Sequence, residues 1–157
     1  MVASLAFEPL LGTEEANVDD KGRVLFSNKK RLRLGERFAV TIGPDGCLVA
    51  YPRAIWFPMI ENIFKSDITN SGRRNYTRSL FSYADDEMKF DPQGRTVIPQ
   101  KLREACGLKD KVLLIGCGDR VEIWAKDEYA KFEADPDGYG QARRERLDAA
   151  TRQMKEA

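Results

Sequence analysis

Two stretches of this chain can be laid over one another. Asp19-Asp20-Lys21-Gly22-Arg23-Val24-Leu25-Phe26-Ser27-Asn28-Lys29-Lys30-Arg31 aligns with Asp91-Pro92-Gln93-Gly94-Arg95-Thr96-Val97-Ile98-Pro99-Gln100-Lys101-Leu102-Arg103 at a spacing of 72 residues. Asp, Gly-Arg, Lys and Arg are identical, and three positions after Gly-Arg correspond in character. Further on, Leu48–Tyr51 matches Val121–Trp124 at a spacing of 73, and Trp56 falls on Tyr129. Three blocks agreeing in the same order mark an internal duplication, so the chain reads as two copies of one unit. Its 157 residues suit one domain or two small ones.

Each copy opens with a short strand ending at Asp-x-x-Gly-Arg. Asp followed three positions later by Gly is a tight-turn signal, because Gly takes positive φ without steric cost. Strands follow at Val24–Phe26 and Thr96–Ile98. In the second copy Pro99 opens a helix, Gln100–Cys106, with Leu102 and Cys106 on its inner face and Gly107 as its stop. Strands at 112–115 and 121–124 and a short helix at 127–133 complete it. The first copy runs the same way through Phe38–Ile42, the turn Gly43-Pro44-Asp45-Gly46, the strand Cys47–Tyr51 and the helix Ile55–Lys65. This gives an α+β chain with four parts: a first unit at 12–65, a linker at 66–88, a second unit at 89–133 and a helical tail at 134–157. The linker is polar from Ser66 to Tyr76 and helical over Asn75–Ala84, with Leu80 and Phe81 inward. The tail segment Gln141–Ala157 alternates charges and offers only Leu147 and Met154 as large apolar residues. It is expected to be solvated or to depend on a partner.

Composition narrows the chemistry. There is no histidine, which removes the commonest general base and the commonest zinc ligand. Three scattered cysteines, Cys47, Cys106 and Cys117, form no Cys-x-x-Cys and fit neither a structural zinc site nor a disulfide framework. They read as small buried apolar residues. With no Gly-rich phosphate loop either, an enzyme is not expected, and neither is a cofactor or a small-molecule substrate. No apolar run approaches the ~20 residues of a membrane span. Met1–Glu8 does not read as a secretory leader, so a cytoplasmic location is the expectation.

Net charge is only +1, but the charges are not evenly spread. Residues 17–37 carry seven basic side chains against three acidic ones, and residues 89–111 carry six against three. Lys21, Arg23, Lys29, Lys30, Arg31 and Arg33 form a basic rim in the first copy that can meet nucleic-acid phosphates. The larger excess there assigns the nucleic-acid face to the first half. Arg23 and Arg95 have a second use, pairing with Asp19 and Asp91 to hold the turns. Trp56, Trp124 and Tyr129 read as core aromatics, and Arg73, Arg74 and Arg78 as a solvated helix face.

The pattern Asp-x-x-Gly-Arg followed by apolar residues, Pro and a helix resembles the core motif of AbrB-type swapped-hairpin DNA-binding proteins. Two tandem copies over residues ~12–133 resemble the MraZ transcriptional regulators. The second copy is the better match, from Asp91 through Leu108, then Leu114-Ile115-Gly116 and Val121–Trp124. In the first copy Asp20-Lys21-Gly22-Arg23, Asp45–Leu48 and Tyr51-Pro52 carry the likeness. The resemblance implies that the two units interlock into a small β-barrel with short flanking helices. It further implies that such chains form a ring-shaped homo-oligomer. The N-terminal units would then bind short direct repeats in double-stranded promoter DNA, upstream of a cell-division and cell-wall operon, usually as a repressor on the nucleoid. The first copy departs from the pattern, with Ser27 in place of Pro and Lys29–Arg33 where a Pro-initiated helix would start. An AbrB-type antitoxin, which uses one copy and a toxin-blocking tail, is the nearest alternative; a structural ring without DNA binding is another.

Overall fold

The computed structural model describes residues 7–156. Most of Met1–Glu8, and with it the reading of that segment as no leader, lies outside them. In chain order the elements are β1 (Leu10–Asn17), β2 (Arg23–Leu25), α1 (Asn28–Leu34), β3 (Phe38–Ile42), β4 (Leu48–Pro52), α2 (Arg53–Phe64) and α3 (Ser71–Phe81). They continue with β5 (Asp85–Met88), β6 (Arg95–Val97), α4 (Gln100–Ala105), β7 (Lys111–Gly118), β8 (Val121–Ala125), α5 (Lys126–Ala134) and α6 (Gln141–Glu156).

Six strands form one antiparallel sheet in the order β1-β7-β8-β4-β3-β5, and β2 and β6 form a separate two-stranded ribbon. The halves exchange strands. β1, from the first half, pairs with β7 of the second over all eight of its residues. β5, which stands 72 residues after the middle of β1, pairs back onto β3 of the first half. Residues 85–88 were expected to be linker, since three of the four are acidic and strands disfavour Asp. Pairing along the edge of β3 makes them a strand regardless.

Side chains alternate across the sheet with period two, and both faces are covered. Phe38, Val40, Ile42, Leu48, Ala50, Val112, Leu114, Val121 and Ile123 enter one core with Val24, Phe26, Leu34, Ile98, Leu102 and Cys106 from the ribbon, α1 and α4. Ala39, Val49, Tyr51 and Trp124 enter a second core with Trp56, Ile63 and Leu80 from α2 and α3. Trp56 and Trp124 are buried as expected, while Tyr129 is half-buried against Trp124. Each fully buried Leu or Phe contributes roughly 1.5–3 kcal/mol. Cys47 and Cys106 are buried members of these cores with free thiols, and burial pushes the Cys106 thiol up to about 12. Cys117 is half-buried and also free.

The first copy does form its helix. Ser27 takes the place of Pro by capping α1, its Oγ accepting the Lys30 amide at 3.3 Å. α3 begins at Ser71, ahead of the expected Asn75, because Asn70 caps the Arg73 amide. Leu80 is buried and Phe81 half-buried, in keeping with the inward face expected. The partner that α6 requires is in the chain itself. Leu147 and Ala150 are buried, and the helix crosses α3 at Gly72, where a Cβ would collide with the carbonyl oxygen of Ala150. Arg143 donates to the carbonyls of Gly43 (2.8 Å) and Ile42 (3.1 Å), and Arg144 pairs with Asp45, which fastens α6 to the β3–β4 turn.

Candidate nucleic-acid interface

The two Asp-x-x-Gly-Arg turns are built alike. Asp19 Oδ1 accepts the amides of Lys21 (2.9 Å) and Arg23 (2.8 Å), and its Oδ2 accepts Arg23 Nε at 2.6 Å. Asp91 does the same for the amides of Gln93 (3.0 Å) and Arg95 (2.9 Å) and for Arg95 Nε (2.9 Å). The Arg23 backbone amide, followed by its side chain, holds the Asp19 carboxyl down at about 2, and Asp91 is lowered for the same reason. Gly22 and Gly94 sit at φ +79° and +86°, the left-handed region that glycine supplies.

The turns interlock across the halves. Phe26 N–H donates to the Gly94 carbonyl and Ile98 N–H to the Gly22 carbonyl, at 3.1 and 2.9 Å. Between them β2 and β6 run antiparallel with Arg23 opposite Val97, Val24 opposite Thr96 and Leu25 opposite Arg95. Val24 and Thr96 are buried, so alternation turns Arg23, Leu25, Arg95 and Val97 to the outer face. Arg23 and Arg95 therefore share one surface, half of it from each copy. Both keep a third or less of their side chain in solvent and both remain paired to their Asp. The pairing positions the arginine heads, and together with exposed Asp20 the carboxylates balance Arg23, Arg95 and Lys21 in formal charge. The excess positive charge comes from Arg31 and Arg103, which lie over the two turns and pair with no carboxylate among the described residues.

The other residues of the expected rim divide. Lys29 is exposed. Arg31 lies over Gly94, its Nη2 donating to Asn28 at 3.3 Å, and lines a cleft with Arg37, Lys89 and Phe90. Lys30 does not reach the rim. It is buried, and its Nζ donates to the carbonyls of Leu11 (3.2 Å) and Gly12 (2.9 Å) with Glu14 at 3.8 Å. In the second copy the same position is Leu102, a plain core residue. Arg33 turns to the Pro9 carbonyl and to Glu8. Lys30 thus holds β1, an edge strand, against α1, and Arg33 holds the residues just before it.

The basic rim expected from the sequence lies in the first half alone, and nothing local in the sequence marks β2 and β6 as neighbours. The only available signal was the repeat itself, because equivalent strands of two interlocked copies meet at their shared axis.

A family model described as MraZ protein, antitoxin-like, matches residues 10–78 and again 80–150. The chain belongs to the MraZ family. Its relatives include the transcriptional regulator MraZ of Finegoldia magna, 39% identical over 119 residues, spanning 76% of this chain and 82% of that one. The protein of the same description from Caldicellulosiruptor bescii is 39% identical over 122 residues, spanning 78% and 85%. That from Heliobacterium modesticaldum is 38% identical over the same length. Both family matches fall on the halves that contribute one strand each to the ribbon.

Proposed function

We propose that this chain is a sequence-specific DNA-binding transcriptional regulator, acting as a repressor, and that the β2–β6 ribbon is its reading head. The observation that carries this is the joint face of Arg23 and Arg95. A two-stranded ribbon fits the major groove, and Arg suits bidentate contact with guanine. Lys21, Lys29 and Arg31 flank it as phosphate contacts, which position the head without reading sequence. The names of the relatives support the regulatory role. The strand exchange supports reading the halves, 12–65 and 89–133, as one swapped-hairpin barrel.

On this reading the protein is a ring-shaped homo-oligomer on the nucleoid, and several heads bind short direct repeats upstream of a cell-division and cell-wall operon. Linked heads bind ~10²–10⁴-fold more tightly than one. Titration on duplexes with one, two and three of the repeats upstream of this protein's gene, at several salt concentrations, tests it. Affinity should rise steeply with repeat number and its salt slope should steepen, and a half-turn shift of ~5 bp between repeats should abolish the gain. Equal affinity for one and three repeats would overturn the multivalent mechanism.

The family description as antitoxin-like favours a second reading, an operator-binding antitoxin. Against it, the C-terminal segment that would have to seize a toxin is folded onto α3 as α6. Co-purification of a small toxin would decide for it.

A further inference from the structure

The outer face of the ribbon is not uniformly basic. Leu25 is 55% exposed and Val97 is 54% exposed, although each is the last residue of a strand in an ordered ribbon whose inward side chains are sealed. The register sets Leu25 directly across from Arg95 and Val97 directly across from Arg23. Opposed residues on one face of an antiparallel pair have Cβ atoms ~5 Å apart. The face is therefore a two-by-two checkerboard, with arginines on one diagonal and aliphatic side chains on the other. A surface that only gathered phosphates would gain nothing from Leu and Val there, and each is left in water.

We propose that Leu25 and Val97 are specificity residues that contact thymine 5-methyl groups in the major groove, beside the bases read by Arg95 and Arg23. This rests on the ribbon being the DNA-reading head. The thymine methyl is the one apolar group that a base edge presents in that groove, and aliphatic contact is how proteins recognise it. An aliphatic side chain ~5 Å from an arginine can meet it on the base step next to a guanine. Because the ribbon has one strand from each copy, the two contacts fall on opposite sides of its approximate two-fold. Leu reaches farther than Val, and where one copy has Lys21 the other has Gln93, so the head has a polarity that direct repeats require. The charge beside the pair, from Arg31 and Arg103 over the two turns and from exposed Lys29, none of them paired with a carboxylate among the described residues, is that of a head for a polyanion, which favours DNA over an apolar protein partner as the occupant.

The test uses the full-length protein. Duplexes are selected from a random 30-bp library by wild-type protein, and each winner is remade with deoxyuridine in place of thymidine. This deletes the methyl and leaves the pairing edges intact. Wild-type affinity should fall about fourfold for each methyl contacted, the value of one buried methyl-sized group. The variant Leu25→Ser/Val97→Ser, whose substitutions lie on exposed positions, should bind thymidine and deoxyuridine duplexes equally. Its melting temperature confirms that it is folded. Equal wild-type affinity for both duplexes overturns the thymine contact while leaving the DNA-reading head intact. So does a thymidine preference that survives in the double variant. A fall in the variant's oligomeric mass with DNA selectivity unchanged would show that the aliphatic pair holds a second copy, which also overturns it. Selection of no duplex at all would sink the DNA-binding reading with it.

Discussion

Arg31 of the first half closes over Gly94 of the second, so closely that a Cβ on Gly94 would stand 2.6 Å from the Arg31 Cζ. Arg103 repeats the contact over Gly22, where the corresponding distance is 2.8 Å. Each copy's helix thus packs on the other copy's turn. The two glycines supply the positive φ, and a side chain at either would push the arginine head aside.

Gly94→Ala is therefore expected to destabilise the fold by about 1–3 kcal/mol, from the unfavourable φ and the collision together. Gly94→Ala/Arg31→Ala should recover only the collision part. Denaturant midpoints of the three proteins measure this, and a Gly94→Ala midpoint equal to wild type would contradict the packing.

Lys30 behaves as a fold residue. Lys30→Leu copies the second half's residue but leaves the Leu11 and Gly12 carbonyls without their donor, at a cost of about 1–3 kcal/mol. Stability should drop while DNA affinity, measured well below the new melting temperature, stays near wild type. Lys29→Ala should do the reverse, lowering the salt slope and weakening all sequences alike.

Acid should act through the turns. The folded value of Asp19, about 2, lies below the ~3.9 of an unfolded Asp, so its contribution is complete above about pH 4. It is lost as pH falls through about 2. Asp91 is shifted in the same direction and adds to the same window. Asp19→Asn/Asp91→Asn should be less stable than wild type at pH 7 and should lose less on acidification. Parallel stability curves from pH 5 to pH 2 would refute the assignment.

The close crossing of α3 and α6 predicts what loosens the tail. Gly72→Leu should free α6 and expose the segment after Tyr139 to limited proteolysis, with the ribbon unaffected. A protease pattern unchanged from wild type would show that the crossing tolerates a side chain.

Local signals in the sequence carried the parts of this fold that local chemistry decides. The turns follow from Asp and Gly spacing, β3 from the β-branched and apolar run Phe38–Ile42, and the inner face of α4 from Leu102 and Cys106 four apart. What stayed hidden was decided by partners far along the chain. Lys30 stands in a run of basic residues and looks like a rim residue, yet its ammonium goes to carbonyls 18 and 19 residues away. Asp85–Met88 looks like a linker until β3 offers it an edge. Arg95 reads as a turn-holder, and that pairing is present, but the β2–β6 ladder also brings it beside Arg23.

One comparison tests that shared face most directly: binding of wild type, Arg23→Ala and Arg95→Ala to the repeat-bearing duplex and to random duplex at fixed salt. Loss of a bidentate arginine costs about 1–3 kcal/mol of discrimination. Both variants should therefore lose roughly 5- to 150-fold on the repeats and little on random DNA, by similar amounts. If Arg95→Ala binds the repeats as wild type does while Arg23→Ala does not, the head belongs to the first half alone and the joint ribbon is wrong.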